Sequence, residues 1–154
     1  VSPPRLGNAH PNIAPYEVFP TVDGWFILAV GNDRQFSSFC EVIDLMELPG
    51  DPRFRDNAAR LANRAELSGT ISLRSREWQR DRLLAALEVA GVPAGPINSI
   101  GQAFEDPQVR HRGMQLELQR SGQSLGGIRS PMRFSDASTI DDRPAPMLGN
   151  GDRI

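Results

Sequence analysis

The sequence predicts a mixed α/β (α+β) fold, a short antiparallel β-sheet packed by helices with a thinner C-terminal segment after it. Three observations predict it. Two β-favouring runs, Tyr16–Thr21 and Trp25–Val30, flank the turn signal Val22-Asp23-Gly24. Apolar residues at helical spacing follow, at Phe36, Phe39, Cys40, Ile43 and Met46 and again at Leu83, Leu87 and Ala90. Strict alternation then returns at Met114-Gln115-Leu116-Glu117-Leu118.

Residues 1–15, rich in Pro and Asn, read as an extended linker or loop. The second run of the hairpin is continuously apolar, which predicts a strand buried on both faces. Asn32 and Asp33 are good caps for the first helix, which the spacing carries to Met46 and which Pro49-Gly50 ends. Asp51-Pro52 places a cap residue before proline and predicts a short helical turn. Residues 57–74 read as helix by propensity, and Ser75 is the candidate cap of the next one, with Gly91 as its stop. Residues 92–97 are extended and Pro-punctuated. Ser99-Ile100-Gly101-Gln102 fits a capping box opening a helix to about Glu105, and Asp106-Pro107 starts another that runs to Gly113. Ser121-Gly122 turns the last strand towards a second one near Ile128, and the chain from Ser130 is loop-like.

Composition excludes several functions. A net charge of −2 argues against nucleic acid, which needs a basic face, and no apolar run approaches the 18 residues of a membrane span. All seventeen basic residues are Arg, so a Schiff-base or P-loop lysine is absent from this chain. Two His, at 10 and 111, are too few and too far apart for a zinc site, so no metal is expected. The single Cys40 cannot form an internal disulfide, which fits a cytoplasmic setting, and its place on an apolar stripe reads as a small buried hydrophobe. The segment after about residue 114 has too few apolar residues for a core of its own, and the chain begins at Val1 without an initiator Met or a secretion signal. Both features predict a portion of something longer.

The motifs then fall into one order: Gly7-Asn8-Ala9-His10-Pro11, Pro15-Tyr16, Asp23-Gly24, Asn32-Asp33 with Gln35-Phe36, Asp51-Pro52-Arg53-Phe54, Asn57 with Arg60, Asn63-Arg64, Glu66-Leu67 and Glu77-Trp78. Ala90–Ile97, Asp106-Pro107-Gln108-Val109, Arg112-Gly113-Met114 and Pro146-Met147-Leu148-Gly149 complete it. In this order the sequence resembles the class III CoA-transferases, also called the CaiB/BaiF family. The resemblance implies a linker over residues 1–10 from a large Rossmann-like domain, a small domain over 11–105, and a segment over 106–154 returning to the large domain. It also implies a homodimer of interlocked chains.

The implied chemistry moves CoA between carboxylic acids, with acyl-CoA and a free acid as partners and the CoA thioester as substrate rather than a bound cofactor. An Asp nucleophile attacks the thioester. The resemblance puts that Asp in the part of the family this chain does not contain, so no catalytic residue is expected here. Asp23 reads as a turn residue, Asp33 as a cap residue, and Asp141-Asp142 as tail. The loop Gly7-Asn8-Ala9-His10-Pro11 resembles the glycine-rich loop that covers the active carboxylate, although His10 and Pro11 depart from a run of glycines; the plain alternatives are an interdomain loop and an exposed loop histidine. Asn32 and Asp33 are cap residues first and, by resemblance, possible substrate contacts at a helix N-terminus. The same pair favours transfer over the α-methylacyl-CoA racemase branch, which tends to carry Glu-Pro there. A non-catalytic α/β dimerisation or binding domain is the alternative of another class.

Overall fold

A computed structural model of the chain describes residues 7–137 and 144–145. It divides into two compact units, residues 1–97 and 98–154. In the first unit, β1 (Tyr16–Pro20), β2 (Trp25–Ala29) and β3 (Ala94–Pro96) form an antiparallel sheet in the order β1-β2-β3. The hairpin register pairs Tyr16 with Ala29 and Pro20 with Trp25, and the turn closes as Thr21 N–H donates to the Gly24 carbonyl over 2.8 Å.

β2 is not buried on both faces, as its unbroken apolar run suggested. Phe26 and Leu28 are fully buried, but Ile27 and Ala29 are only partly covered and Trp25 is 52% exposed. Side chains alternate across a strand, and the helices of this unit cover one face only. On that face Phe19, Phe26 and Leu28 join a core with Phe36, Phe39, Ile43, Leu67, Ile71, Leu83 and Leu87.

α1 (Asp33–Val42) starts where expected and stops early. Asp44 takes a left-handed backbone (φ 59°), and Leu45 N–H closes the helix end on the Cys40 carbonyl at 2.8 Å. Met46 therefore leaves the apolar stripe and stands 68% exposed, while Leu45 and Leu48 turn inward. Pro49-Gly50 belongs to a separate 3-10 turn, Leu48–Gly50. Asp51-Pro52 gives one hydrogen-bonded turn, Phe54 N–H to the Asp51 carbonyl, that does not propagate.

The expected single helix over 57–74 is two, α2 (Asn57–Ala62) and α3 (Arg64–Ser75), with a break at Asn63. Ser75 is the last residue of α3 and buried, not a cap. The N-cap of α4 (Arg80–Val89) is Gln79, whose side chain makes no capping bond. Asp23 from the hairpin turn supplies the acceptor instead, taking Arg80 N–H at 2.8 Å. That bond holds the Asp23 carboxyl below the usual range for aspartate.

The second unit holds α5 (Ile100–Glu105) with the expected Ser99/Gln102 capping box, and α6 (Pro107–His111) capped by Asp106. A hairpin of β4 (Gln115–Arg120) and β5 (Gln123–Ile128) follows. Ser121 and Gly122 form its turn, both at positive φ. No described residue of this unit is buried, in keeping with its scarcity of apolar side chains. The part of the tail expected to be loop-like that falls at 138–143 and 146–154 lies outside the described residues.

Candidate functional site

Residues 8–14 join no helix or strand, so their backbone polar groups need partners from elsewhere. Side chains at 57 and 60, three residues apart on α2, and at 64, the first residue of α3, supply them. Asn57 donates from Nδ2 to the Asn12 carbonyl (2.9 Å) and accepts Ala14 N–H at Oδ1 (3.1 Å). Arg60 donates from Nε to the Ala14 carbonyl at 2.7 Å. Arg64 donates from Nη2 to the carbonyls of His10 (2.6 Å) and Ile13 (3.4 Å).

The opposite edge of the segment is fixed to β1. Val18 N–H donates to Asn8 Oδ1 (2.8 Å), and His10 N–H donates to the Tyr16 carbonyl (2.9 Å). The His10 ring stacks on Tyr16, with centroids 5.1 Å apart and planes 15° from parallel. Asn12 N–H donates to His10 Nδ1 at 3.1 Å. His10 is therefore half-buried and anchored, not the exposed loop histidine of the plain reading. Gly7 is at the free end of the segment, with φ 63°, and Pro11 is exposed. The segment carries seven tethering bonds and one ring stack, which is more restraint than a freely swinging loop has.

The second candidate stretch is tied through Arg60 to Ala14, three residues beyond the first. Asn32 caps α1 by accepting Gln35 N–H at 2.9 Å, and Gly31 N–H donates back to Gln35 Oε1 at 2.8 Å. Asp33 Oδ1 accepts from Arg60 Nη2 at 2.7 Å. Arg60 is 1% exposed; it also donates to the Phe54 carbonyl (3.1 Å) and lies over the Phe36 ring at 4.5 Å. Arg60 thus joins the N-terminus of α1 to the irregular segment at Ala14, and Asp33 is ion-paired with it. A cleft of ≈ 230 Å³ lies beside this helix start, lined by Asn32, Arg34, Gln35, Ser38, Ala90 and Gly91.

Other groups fit acyl-CoA chemistry less well. A larger open groove of ≈ 710 Å³ runs along α4 and β3, but its charged lining residues are Asp81 and Glu88, the wrong sign for carboxylates or phosphates. Burial pushes the Cys40 thiol up to about 12, with Glu47 adding to the effect, so it is no nucleophile at neutral pH. Among the described residues no group of three His, Cys, Asp or Glu is placed to hold a metal ion, and no helix is long and apolar enough to cross a membrane. Asp23 and Asp33 are both engaged in structural bonds, and Asp141-Asp142 lie outside the described residues. Sequence reasoning found Asn57, Arg60 and Arg64 as motif letters but missed what they hold. Their 3-4 spacing of polar residues was the available signal.

Residues 1–152 match the sequence profile of CoA-transferase family III. The chain is 47% identical over 148 residues to the succinate–glutarate CoA-transferase of Agrobacterium fabrum, an alignment covering 96% of this chain and 37% of that protein. It is 37% identical to human succinyl-CoA:glutarate CoA-transferase, covering 94% and 33% respectively. A crystal structure of a CaiB/BaiF family protein from Brucella suis superposes with a TM-score of 0.84 at 48% identity, over 95% of this chain and 38% of that one. The chain thus spans between 33% and 38% of the length of these relatives.

Proposed function

The chain belongs to CoA-transferase family III, and from that premise we propose that it is the C-terminal part of an acyl-CoA:carboxylate CoA-transferase acting on short dicarboxylic acids of the succinate and glutarate class. The observation that carries this reading is the 47% identity to a succinate–glutarate CoA-transferase across 96% of the chain. The human relative, named for the same pair of acids, supports it.

In this reading a carboxylate from the remainder of the protein attacks the thioester carbonyl, expels CoA thiolate and forms a mixed anhydride. The thiolate attacks the anhydride on the enzyme's side, releasing the first acid and leaving an enzyme thioester. The second acid then attacks that thioester, and the thiolate takes its acyl group from the new anhydride. Every intermediate is prone to hydrolysis, so the site must exclude water. Residues 7–11 are the part of this chain suited to that task, and the tethers of Asn8 and His10 to β1 and α3 make them a fixed wall. The N-terminus of α1 offers backbone amides to a carboxylate, and Arg60 offsets the repulsion Asp33 would otherwise exert. The interlocked homodimer, the small-domain assignment of residues 11–105, the return segment over 106–154 and a cytoplasmic setting belong to the same proposal.

The test is to express the full-length protein that carries this chain, supply succinyl-CoA and glutarate, and follow glutaryl-CoA by liquid chromatography and mass spectrometry. Glutaryl-CoA forms with the full-length protein and not with residues 1–154 alone. Turnover by the 154-residue polypeptide, or none by the full-length protein, would defeat the reading.

A further inference from the structure

The His10 imidazole is held in one orientation and one tautomer. Its Nδ1 accepts Asn12 N–H, so in the neutral ring the proton is on Nε2. Stacking on Tyr16 fixes the ring plane. The residue's own N–H and C=O are both engaged, by the Tyr16 carbonyl and by Arg64 Nη2. Among the described residues no acceptor takes up the Nε2–H. Arg64 brings a guanidinium against the same stretch of backbone, and its Nη1 is buried without a partner there. A donor held in place, on a residue whose carbonyl also takes a guanidinium N–H, is an arrangement suited to an anion.

We propose that His10 is a specificity-determining residue whose Nε2–H binds the non-reacting carboxylate of a dicarboxylic substrate, with Arg64 as the positioning residue behind it. The inference rests on the CoA-transferase reading and adds to it the group that separates dicarboxylic from monocarboxylic acids. A donor on the reacting carboxylate would weaken it as a nucleophile. The distal carboxylate keeps its charge from binding to release, and a permanent donor suits it. The ordering cost of that donor is met on folding, through Asn57 and Arg64 on one side and Tyr16 on the other, so less is lost when substrate binds.

Two measurements on the full-length enzyme test it. The first compares kcat/KM for glutarate with that for pentanoate, the five-carbon acid lacking the second carboxylate, at fixed succinyl-CoA. His10→Asn keeps an acceptor for Asn12 N–H but has nothing at the Nε2 position. It should lower the glutarate-to-pentanoate ratio about tenfold to a hundredfold, the range for one hydrogen bond to a charged group. His10→Gln, whose amide N–H reaches the Nε2 position, should restore most of the ratio. Equal losses for both acids, or no loss, overturn the inference. The second measurement needs no turnover. Nitrogen-15 spectra of the imidazole should show the Nε2–H tautomer and a shift of the His10 Nε2 signal with glutarate but not pentanoate. The other tautomer, or no selective shift, also overturns it. An enzyme that shows the shift but makes no glutaryl-CoA would sink only the assigned reaction.

Discussion

Replacing Arg60 with Met tests the side chain that ties the irregular backbone at Ala14 and Phe54 to the N-terminus of α1. The substitution keeps length and apolar bulk and removes every donor. The carbonyls of Ala14 and Phe54 then lose the bonds of 2.7 and 3.1 Å that Arg60 gives them, and both residues are almost wholly buried. A buried acceptor left unpaired costs ~1–3 kcal/mol, and the stack over Phe36 adds ~1 kcal/mol. Asp33 returns to water at little cost, because its side chain is already 63% exposed. Relief of the guanidinium's own desolvation works in the opposite direction. The balance is a loss of about 2–4 kcal/mol, which lowers the urea midpoint by roughly 1–2 M at the slope usual for small proteins. Unfolding can be followed by the fluorescence of Trp25 and Trp78. Arg60→Lys should fall between the two, since one ammonium cannot reach three acceptors. A midpoint for Arg60→Met within about 0.3 M of the parent would refute the claim that these carbonyls depend on it.

Two further outcomes follow from the titratable groups. Asp56 caps α2, and the Ala59 N–H bonded to it, with help from Arg55, lowers its pKa. A lowered folded pKa gives stability that is complete above the unfolded value near 4 and lost as pH falls through the folded one. Asp56→Asn, still a competent cap, should therefore match the parent at pH 7 and lose less of its urea midpoint than the parent does on going to pH 3; an equal acid loss in both would show that the attribution is wrong. Cys40, with its thiol raised to about 12, should ignore a thiol-reactive dye at pH 8 in the folded protein and react fully in urea. Labelling of the native protein at the rate of a free thiol would contradict its burial.

The elements that could be read from the sequence are those specified locally. Val22-Asp23-Gly24 turns the hairpin, Asn32 and Ser99 cap helices through residues three positions on, and Gly91 stops α4 with φ 68°. What could not be read depends on distant partners. Asp44 ends α1 before Met46 although the apolar spacing continues, because the chain must turn for Leu45 and Leu48 to reach the core. The acceptor at the start of α4 comes from Asp23, a residue 57 positions earlier, so a search near Ser75 could not find it. The continuous apolar run of β2 was ambiguous for a similar reason. Alternation is the signature of one covered face, and Trp25, Ile27 and Ala29 are apolar on a face the first unit leaves partly open.

The candidate site was legible as motifs but not as a mechanism, and the absence of lysine helps to explain why. An irregular segment such as 8–14 offers several carbonyls in different directions, and a planar guanidinium with five N–H donors can serve more than one of them at fixed geometry. Arg60 joins the Ala14 and Phe54 carbonyls to Asp33, Arg64 joins His10 to Ile13, and Arg74 joins the Ile43 carbonyl to Asp44 and Glu77. Each bridges chain segments that no regular hydrogen-bond ladder connects. An ammonium at any of these positions would keep the charge and lose the bridging. The polar residues at 57, 60 and 64, on two successive helices, therefore support non-repetitive backbone, and on that backbone the His10 ring is held by Tyr16 and by Asn12 N–H.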